Sequence, residues 1–243
     1  MYNTLQPENI LFLDIETVPA YASYDLLPEQ WKKLWDLKAA LLKKSEDDTP
    51  ETLYNRAGIY AEFGKIICIS VGFLKHAGGA EQFRIKSFAG DDEKKLLGEF
   101  AELLRRHFNR PDHRLCAHNG KEFDFPWIAR RMVVQGIQLP ALLDTAGKKP
   151  WETTHLDTME MWKFGDFKSH TSLNLLANLF GIPTPKDDID GSMVHVVYYR
   201  DKDLARIVKY CQKDVLTVVQ LLRKYRGEEL LADETVIMSD WEK

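Results

Sequence analysis

The stretch Ile10-Leu11-Phe12-Leu13-Asp14-Ile15-Glu16-Thr17 decides how the rest of the chain is read. Four apolar residues in a row, stopped by charged residues and by Pro19, predict a short buried strand that ends at Asp14. Side chains alternate along extended backbone, so Asp14 and Glu16 leave the strand on the same side. Two ionised carboxylates so placed repel each other. A hard divalent cation such as Mg²⁺ or Mn²⁺, which prefers oxygen ligands, relieves that repulsion. Taken alone, the pair reads as a polar strand end.

Downstream, Ile66 to Leu74 predicts a second strand, with a turn at Gly78-Gly79 and a hairpin partner over Gln82 to Phe88. Asp91 and Asp92 can cap a helix whose apolar face carries Leu96, Leu97, Phe100, Leu103, Leu104 and His107. Arg114 to Ala117 reads as a short strand. A helix follows from about Phe125, with Ile128, Met132 and Val133 inward and Gly136 near its end. The last helix runs from about Lys202 to Tyr225, its apolar positions Leu204, Ile207, Val208, Cys211, Val215, Val218 and Leu222 spaced by threes and fours. Two segments interrupt this order. Pro19 to Gly64 carries an amphipathic helix with Trp31, Leu34, Trp35, Leu41 and Leu42, and Leu139 to Asp166 is irregular. Hairpin strands followed by strand and helix units predict an α/β fold, a mixed β-sheet flanked by α-helices. The expected organisation is one domain over residues 1–243 with a helical insertion at 19–64.

Composition agrees with a packed domain. Of 243 residues, 44% are hydrophobic and 29% charged, which excludes disorder. Lys and Arg number 33 against 37 Asp and Glu, a net charge of -4, so a polyanion must be met by local patches or by cations. The longest apolar run, Ile66 to Leu74, falls short of the roughly 18 residues of a membrane span. No membrane association is expected, and with no secretory signal visible the expected address is cytoplasmic. Cys68, Cys116 and Cys211 are odd in number and widely separated, as core thiols are, and His155, His170 and His195 lack zinc-ligand spacing.

Two further acids stand out. In His118-Asn119-Gly120-Lys121-Glu122-Phe123-Asp124 the last residue falls where a helix opens, which alone reads as a first-turn acid. In Tyr210-Cys211-Gln212-Lys213-Asp214 a spacing of four sets phenol and carboxylate one helical turn apart, which alone reads as a surface pair. Strand, then loop into helix, then late helix is a more specific order than any of the three signals. In that order the sequence resembles the DEDD superfamily of 3'-5' exonucleases, of ribonuclease H-like fold, in its tyrosine subtype. Asp14-Ile15-Glu16-Thr17 is similar to the first motif, Asn119 through Phe123-Asp124 to the second, and Tyr210 with Asp214 to the third. The histidine subtype would want His where Lys209 stands. More narrowly, Leu156-Asp157-Thr158, Ser172-Leu173-Asn174-Leu175-Leu176-Ala177 and Gly181-Ile182-Pro183 resemble the predicted exonucleases related to the proofreading domain of family-B DNA polymerases.

The resemblance implies hydrolysis of phosphodiester bonds with two divalent metal ions, Mg²⁺ or Mn²⁺, held by Asp14, Glu16, Asp124 and Asp214. Asp14 would bridge both ions, Glu16 and Asp214 would hold the nucleophile-side ion, and Asp124 would reach the other through water. Tyr210 would orient the attacking water or bond the phosphate. Peptide groups around Glu16 and Thr17 would meet the terminal 3' hydroxyl, with Ile15 and Thr17 counted as substrate-binding, and Asn119 and Phe123 would touch the terminal nucleotide, although Phe123 suits a core position equally. The implied partner is nucleic acid with a free 3' end, single-stranded DNA by resemblance. Lys148-Lys149-Pro150-Trp151 and Trp162-Lys163 combine cations with indoles, as a strand track or as solvated loop, and Lys186, after two nearby prolines, is a phosphate candidate. Asp157 suits a structural or outer role, and Trp31 and Trp35 either cover the cleft or bury against the domain. Three other readings stand beside this one: an inactive nucleic-acid-binding module of the same fold, a phosphatase using Asp14 as nucleophile, and a structural interaction module.

Overall fold

In the computed structural model, which describes residues 6–77, 80–166, 168–183 and 189–239, the first strand runs past Asp14. Strand β1 spans Ile10–Pro19. It is followed by α1 (Glu29–Leu42), α2 (Pro50–Leu53), β2 (Gly64–Ala77), β3 (Ala80–Ala89) and α3 (Glu93–His107). Next come β4 (Arg114–Ala117), α4 (Asp124–Val134), β5 (Leu156–Asp157), α5 (Thr158–Lys163) and α6 (Leu173–Leu179). The chain ends on α7 (Val194–Val196), α8 (Leu204–Tyr225) and β6 (Val236–Met238). The sheet order is β5-β4-β1-β2-β3-β6. β2 pairs antiparallel with β1 and β3, while β1 with β4, β4 with β5 and β3 with β6 are parallel. This is the mixed α/β sheet that the sequence predicts, and it is consistent with a ribonuclease H-like fold.

The expected end of β1 at Asp14 is corrected by its neighbours. β2 keeps pairing as far as Pro19 with Gly64, whereas β4 pairs only with Ile10 to Phe12. Asp14 and Glu16 therefore lie mid-strand, just beyond the last rung of β4. A bulge follows between Glu16 and Thr17, where the partner register jumps from Cys68 to Ile66.

Both faces of β1 are buried, which is why its first half is uninterruptedly apolar. Leu11, Leu13 and Ile15 share a core with Leu97 and Phe100 of α3 and Ile128 and Met132 of α4. Ile10 and Phe12 share another with Val215, Val218 and Leu222 of α8. Asp14 and Glu16, in phase with Ile10 and Phe12, face α8. Asp92 caps α3 by accepting from the Lys95 amide at 3.0 Å, and Asp203 caps α8 by accepting from Arg206 at 3.0 Å. Two expected inward residues point out. His107 is exposed and Phe108 turns into the core instead, while Val133, about 100° around the helix from Met132, is 64% exposed. The Gly78-Gly79 turn lies outside the described residues.

Glu93 ties three elements together. Its carboxylate accepts from the Ile66 amide of β2 at 2.8 Å, from Arg131 of α4 at 2.9 and 2.6 Å, and from Gln135 at 2.6 Å. Both members of the ion pair are largely buried. Removing one partner of such a pair leaves an uncompensated charge, so Glu93→Ala is expected to cost about 3–5 kcal/mol in urea unfolding, with Glu93→Gln recovering part of it. A loss below about 1 kcal/mol would mean that Arg131 finds water instead.

The segment between β1 and β2 has a small core of its own. Trp35 is fully buried there with Leu27, Ala39, Leu53, Tyr54 and Ala57, and its Nε1 donates to the Pro50 carbonyl at 2.8 Å. The segment is held to the rest by Thr17 Oγ1 donating to Gly58 O at 2.6 Å and Trp127 Nε1 donating to Ile59 O at 2.9 Å. Gly58 is required by the close approach: a Cβ there would stand 3.1 Å from the Val18 carbonyl carbon. Among the described residues no helix is long and apolar enough to cross a membrane.

Candidate active site

Asp14, Ile15, Glu16 and Thr17 from β1, Phe123 from the approach to α4, and Tyr210 and Asp214 from α8 line one cavity of about 500 Å³. The long strand and the long helix cross here because the apolar residues before the acids, Ile10 and Phe12, pack on the helix turns that follow Asp214. Carboxylate oxygens of Asp14 and Glu16 and the thiol of Cys211 lie within 4.8 Å of one another. Asp14 Oδ2 is buried without a hydrogen-bond partner among the described residues.

Asp124 enters by a different route. The β4 ladder ends at Phe12, and Asp124 Oδ1 accepts from the Ile15 amide at 3.2 Å. The carboxylate thus continues the edge that β4 abandons, and it brings a fourth acid beside the other three. The same bond occupies the Ile15 amide.

Burial and crowding raise the proton affinity of Asp14, Glu16 and Asp124. Burial pushes the Asp14 carboxyl well above the usual carboxylate range, and the charges of Glu16, Asp214 and Asp124 act in the same direction. Burial does the same to Glu16, helped chiefly by Asp214. Asp124 is pushed up to about 7, mainly by burial and against the pull of backbone amides that include Ile15. Burial and then the charges of Asp214, Glu16 and Asp14 hold the Tyr210 phenol far above its ordinary value, so it stays a neutral donor. Cys211 is likewise held as a thiol by burial, and it donates to the Asp14 carbonyl at 3.4 Å. Hard oxygen donors, an unpartnered buried carboxylate oxygen and mutual repulsion together fit a divalent cation.

The sign of the pH dependence follows. The native acids bind protons more tightly than the unfolded ones, whose ordinary values are 3.8 and 4.5. Metal-free stability is therefore fullest below that range and is lost as pH rises toward about 7, where Asp124 titrates. Mn²⁺ competes with those protons, so the rise in melting temperature that it produces should grow from pH 5 to pH 8. A Mn²⁺ effect that shrinks over this interval would contradict the carboxylate site.

The profile of a family described as a predicted 3'-5' exonuclease related to the exonuclease domain of PolB matches residues 59–234, more than two-thirds of the chain. The chain belongs to this family. No significant match is found among curated proteins. The residues matched to the exonuclease family include Asn119, Phe123, Asp124, Tyr210 and Asp214, whereas β1 with Asp14 and Glu16 precedes them. Strand pairing and the crossing with α8 are what join that first acidic pair to the rest.

Other sequence-predicted residues are dispersed. Thr17 spends its hydroxyl on Gly58. Phe123 is half-buried against Trp127, with ring centres 6.2 Å apart, and also lines the acid cavity. Asn119, at φ 65°, lines a separate cavity of about 650 Å³ with Lys121, Lys148 and Lys163. Asp157 sets that turn. It accepts from the amides of Asn119 at 2.9 Å and Lys121 at 3.0 Å, and caps α5 through Met159 and Glu160, a structural role. Trp151 is 77% exposed with Lys149 Nζ 5.3 Å from its ring centre. Trp162 is not exposed as a platform. It stacks on Tyr225 at 6.1 Å and packs edge-on against Phe180, because α5 and α8 close over it. Lys186 lies outside the described residues.

His155 is a satisfied core histidine, accepting from the Leu115 amide and donating to Leu142 O, and burial pushes it down to about 4. His195, which the sequence marks only as lacking zinc-ligand spacing, lines the acid cavity together with Asn55 and Arg56. Single polar residues on a 3-10 helix and on the short α7 carry no motif, and only the topology brings them there.

Proposed function

We propose that the chain hydrolyses nucleic acid one nucleotide at a time from the 3' end, acting on DNA and preferring single strands. The whole of residues 1–243 would form one exonuclease domain, with 19–64 as its helical insertion. The observation that carries this reading is the convergence of Asp14 and Glu16 of β1, Asp124 of α4 and Asp214 of α8 beside the Tyr210 phenol.

Asp14, Glu16, Asp124 and Asp214 would hold two divalent ions, Mg²⁺ or Mn²⁺, with Asp14 central because it feels all three other acids. Bound there, the ions neutralise the charge of the phosphodiester and make water a usable nucleophile near neutral pH. Tyr210 keeps its proton and donates a hydrogen bond to the attacking water or to a phosphate oxygen; it does not act as the base. Phe123 packs against the terminal nucleotide, and the Glu16 and Thr17 peptide groups meet its 3' hydroxyl. Arg56 and His195 line the same cavity and would meet the same strand end. The products are a nucleoside 5'-monophosphate and a strand one nucleotide shorter.

A time course on 5'-labelled DNA and RNA oligonucleotides with Mn²⁺ tests the proposal. The expected result is a descending one-nucleotide ladder on single-stranded DNA that is absent with chelator. Binding without shortening would assign the chain to the inactive modules of this fold, and internal cuts would exclude end recognition.

A further inference from the structure

We propose that the cavity of about 650 Å³ at the carboxyl ends of β4 and β5 takes an unpaired nucleotide of the strand upstream of the cut, its base inside and its phosphates at Lys148 and Lys163. β1, β4 and β5 run parallel side by side, so this cavity opens on the same edge of the sheet as the acids. The turn that follows β4 separates the two. Phe123 lines the acid cavity, whereas Glu122 and Phe125 line this one. A strand that leaves the acids along that edge toward β5 meets it next.

The lining suits a base joined to phosphates. Phe125 and Met159, both buried, give an apolar floor. Asn119 Oδ1 is a buried atom with no hydrogen-bond partner among the described residues, an acceptor open to an exocyclic amine. Of the acids that line the cavity, Asp157 is spent on the amides of Asn119 and Lys121, and Glu160 on the Lys121 ammonium at 2.5 Å. That leaves Lys148 and Lys163 against Glu122. The positive field reaches the wall, since burial and then the charges of Arg114, Lys121 and Lys148 push His155 down to about 4. A base already paired in a duplex cannot enter, so the cavity sets the preference for single strands proposed above. The inference rests on that reading for its substrate.

Fluorescence anisotropy of labelled single-stranded DNA tests it in chelator, where the strand stays whole and the acids hold no ions. The full chain should bind a strand that is abasic upstream of its last nucleotide about tenfold more weakly than the complete strand. Thr153→Trp, which fills the cavity, should lose that difference. Lys148→Ala with Lys163→Ala should flatten the slope of log affinity against log salt by about 1.4, while Lys94→Ala with Lys95→Ala on α3 leaves it as it was. The abasic comparison uses unmodified protein, so it stands even where a variant fails to fold. Equal affinity for the two strands, survival of the difference in Thr153→Trp, or equal slopes for the two lysine pairs would each overturn the cavity. An abasic penalty in a protein that never shortens DNA would uphold the cavity and remove the nuclease reading; a DNA ladder without the penalty would do the reverse.

Discussion

Asp14→Asn lowers exonuclease turnover by about 10³-fold or more while raising the melting temperature of the metal-free protein. The loss is large because Asp14 is the acid that all the others surround, and removing one preorganised charge from a dry site typically costs this much. The gain in stability has the same origin. Without cations, the buried Asp14 carboxylate is pressed by Glu16, Asp214 and Asp124, and the neutral isostere removes that repulsion. The Mn²⁺-induced rise in melting temperature should collapse in the variant. A variant inactive through misfolding would melt lower, so activity and melting together separate the two causes. Near-normal turnover with saturating Mn²⁺ would remove Asp14 from the site.

Tyr210→Phe is expected to lose about 10²-fold in kcat with little change in KM, and to keep the full Mn²⁺-dependent rise in melting temperature. The phenol carries no charge, and although it hydrogen-bonds Asp214, its removal leaves all four carboxylates in place. Because its proton is held so firmly, the wild-type rate should show no ionisation of Tyr210 between pH 6 and 9. Unchanged kcat, or a lost Mn²⁺ response, would show that Tyr210 does not act in this way.

Much of this was readable from local sequence. The apolar run Ile10 to Leu13 marks a strand buried on both faces, and the Asp92 cap together with the threes-and-fours spacing places α3 and α8. Where β1 ends is not a property of β1, since the length of β2 and the shortness of β4 decide it. His107 and Val133 show the limit of helical phase, where one residue is enough to turn a side chain from core to solvent. The acids were legible as three separate islands joined by their order along the chain. That Asp124 would spend an oxygen on the Ile15 amide was not, because the bond spans 109 positions. Nor was the capture of Trp162 by Tyr225, or the arrival of Arg56 and His195 at the acid cavity, since each depends on packing between distant elements.

Electron paramagnetic resonance of the full chain titrated with Mn²⁺, in the presence of a non-hydrolysable DNA strand, tests whether these acids share a pair of cations. The expected result is two ions per chain with the exchange-coupled spectrum of metals about 3.5–4 Å apart. A spectrum of isolated or free Mn²⁺ at every ratio would contradict it.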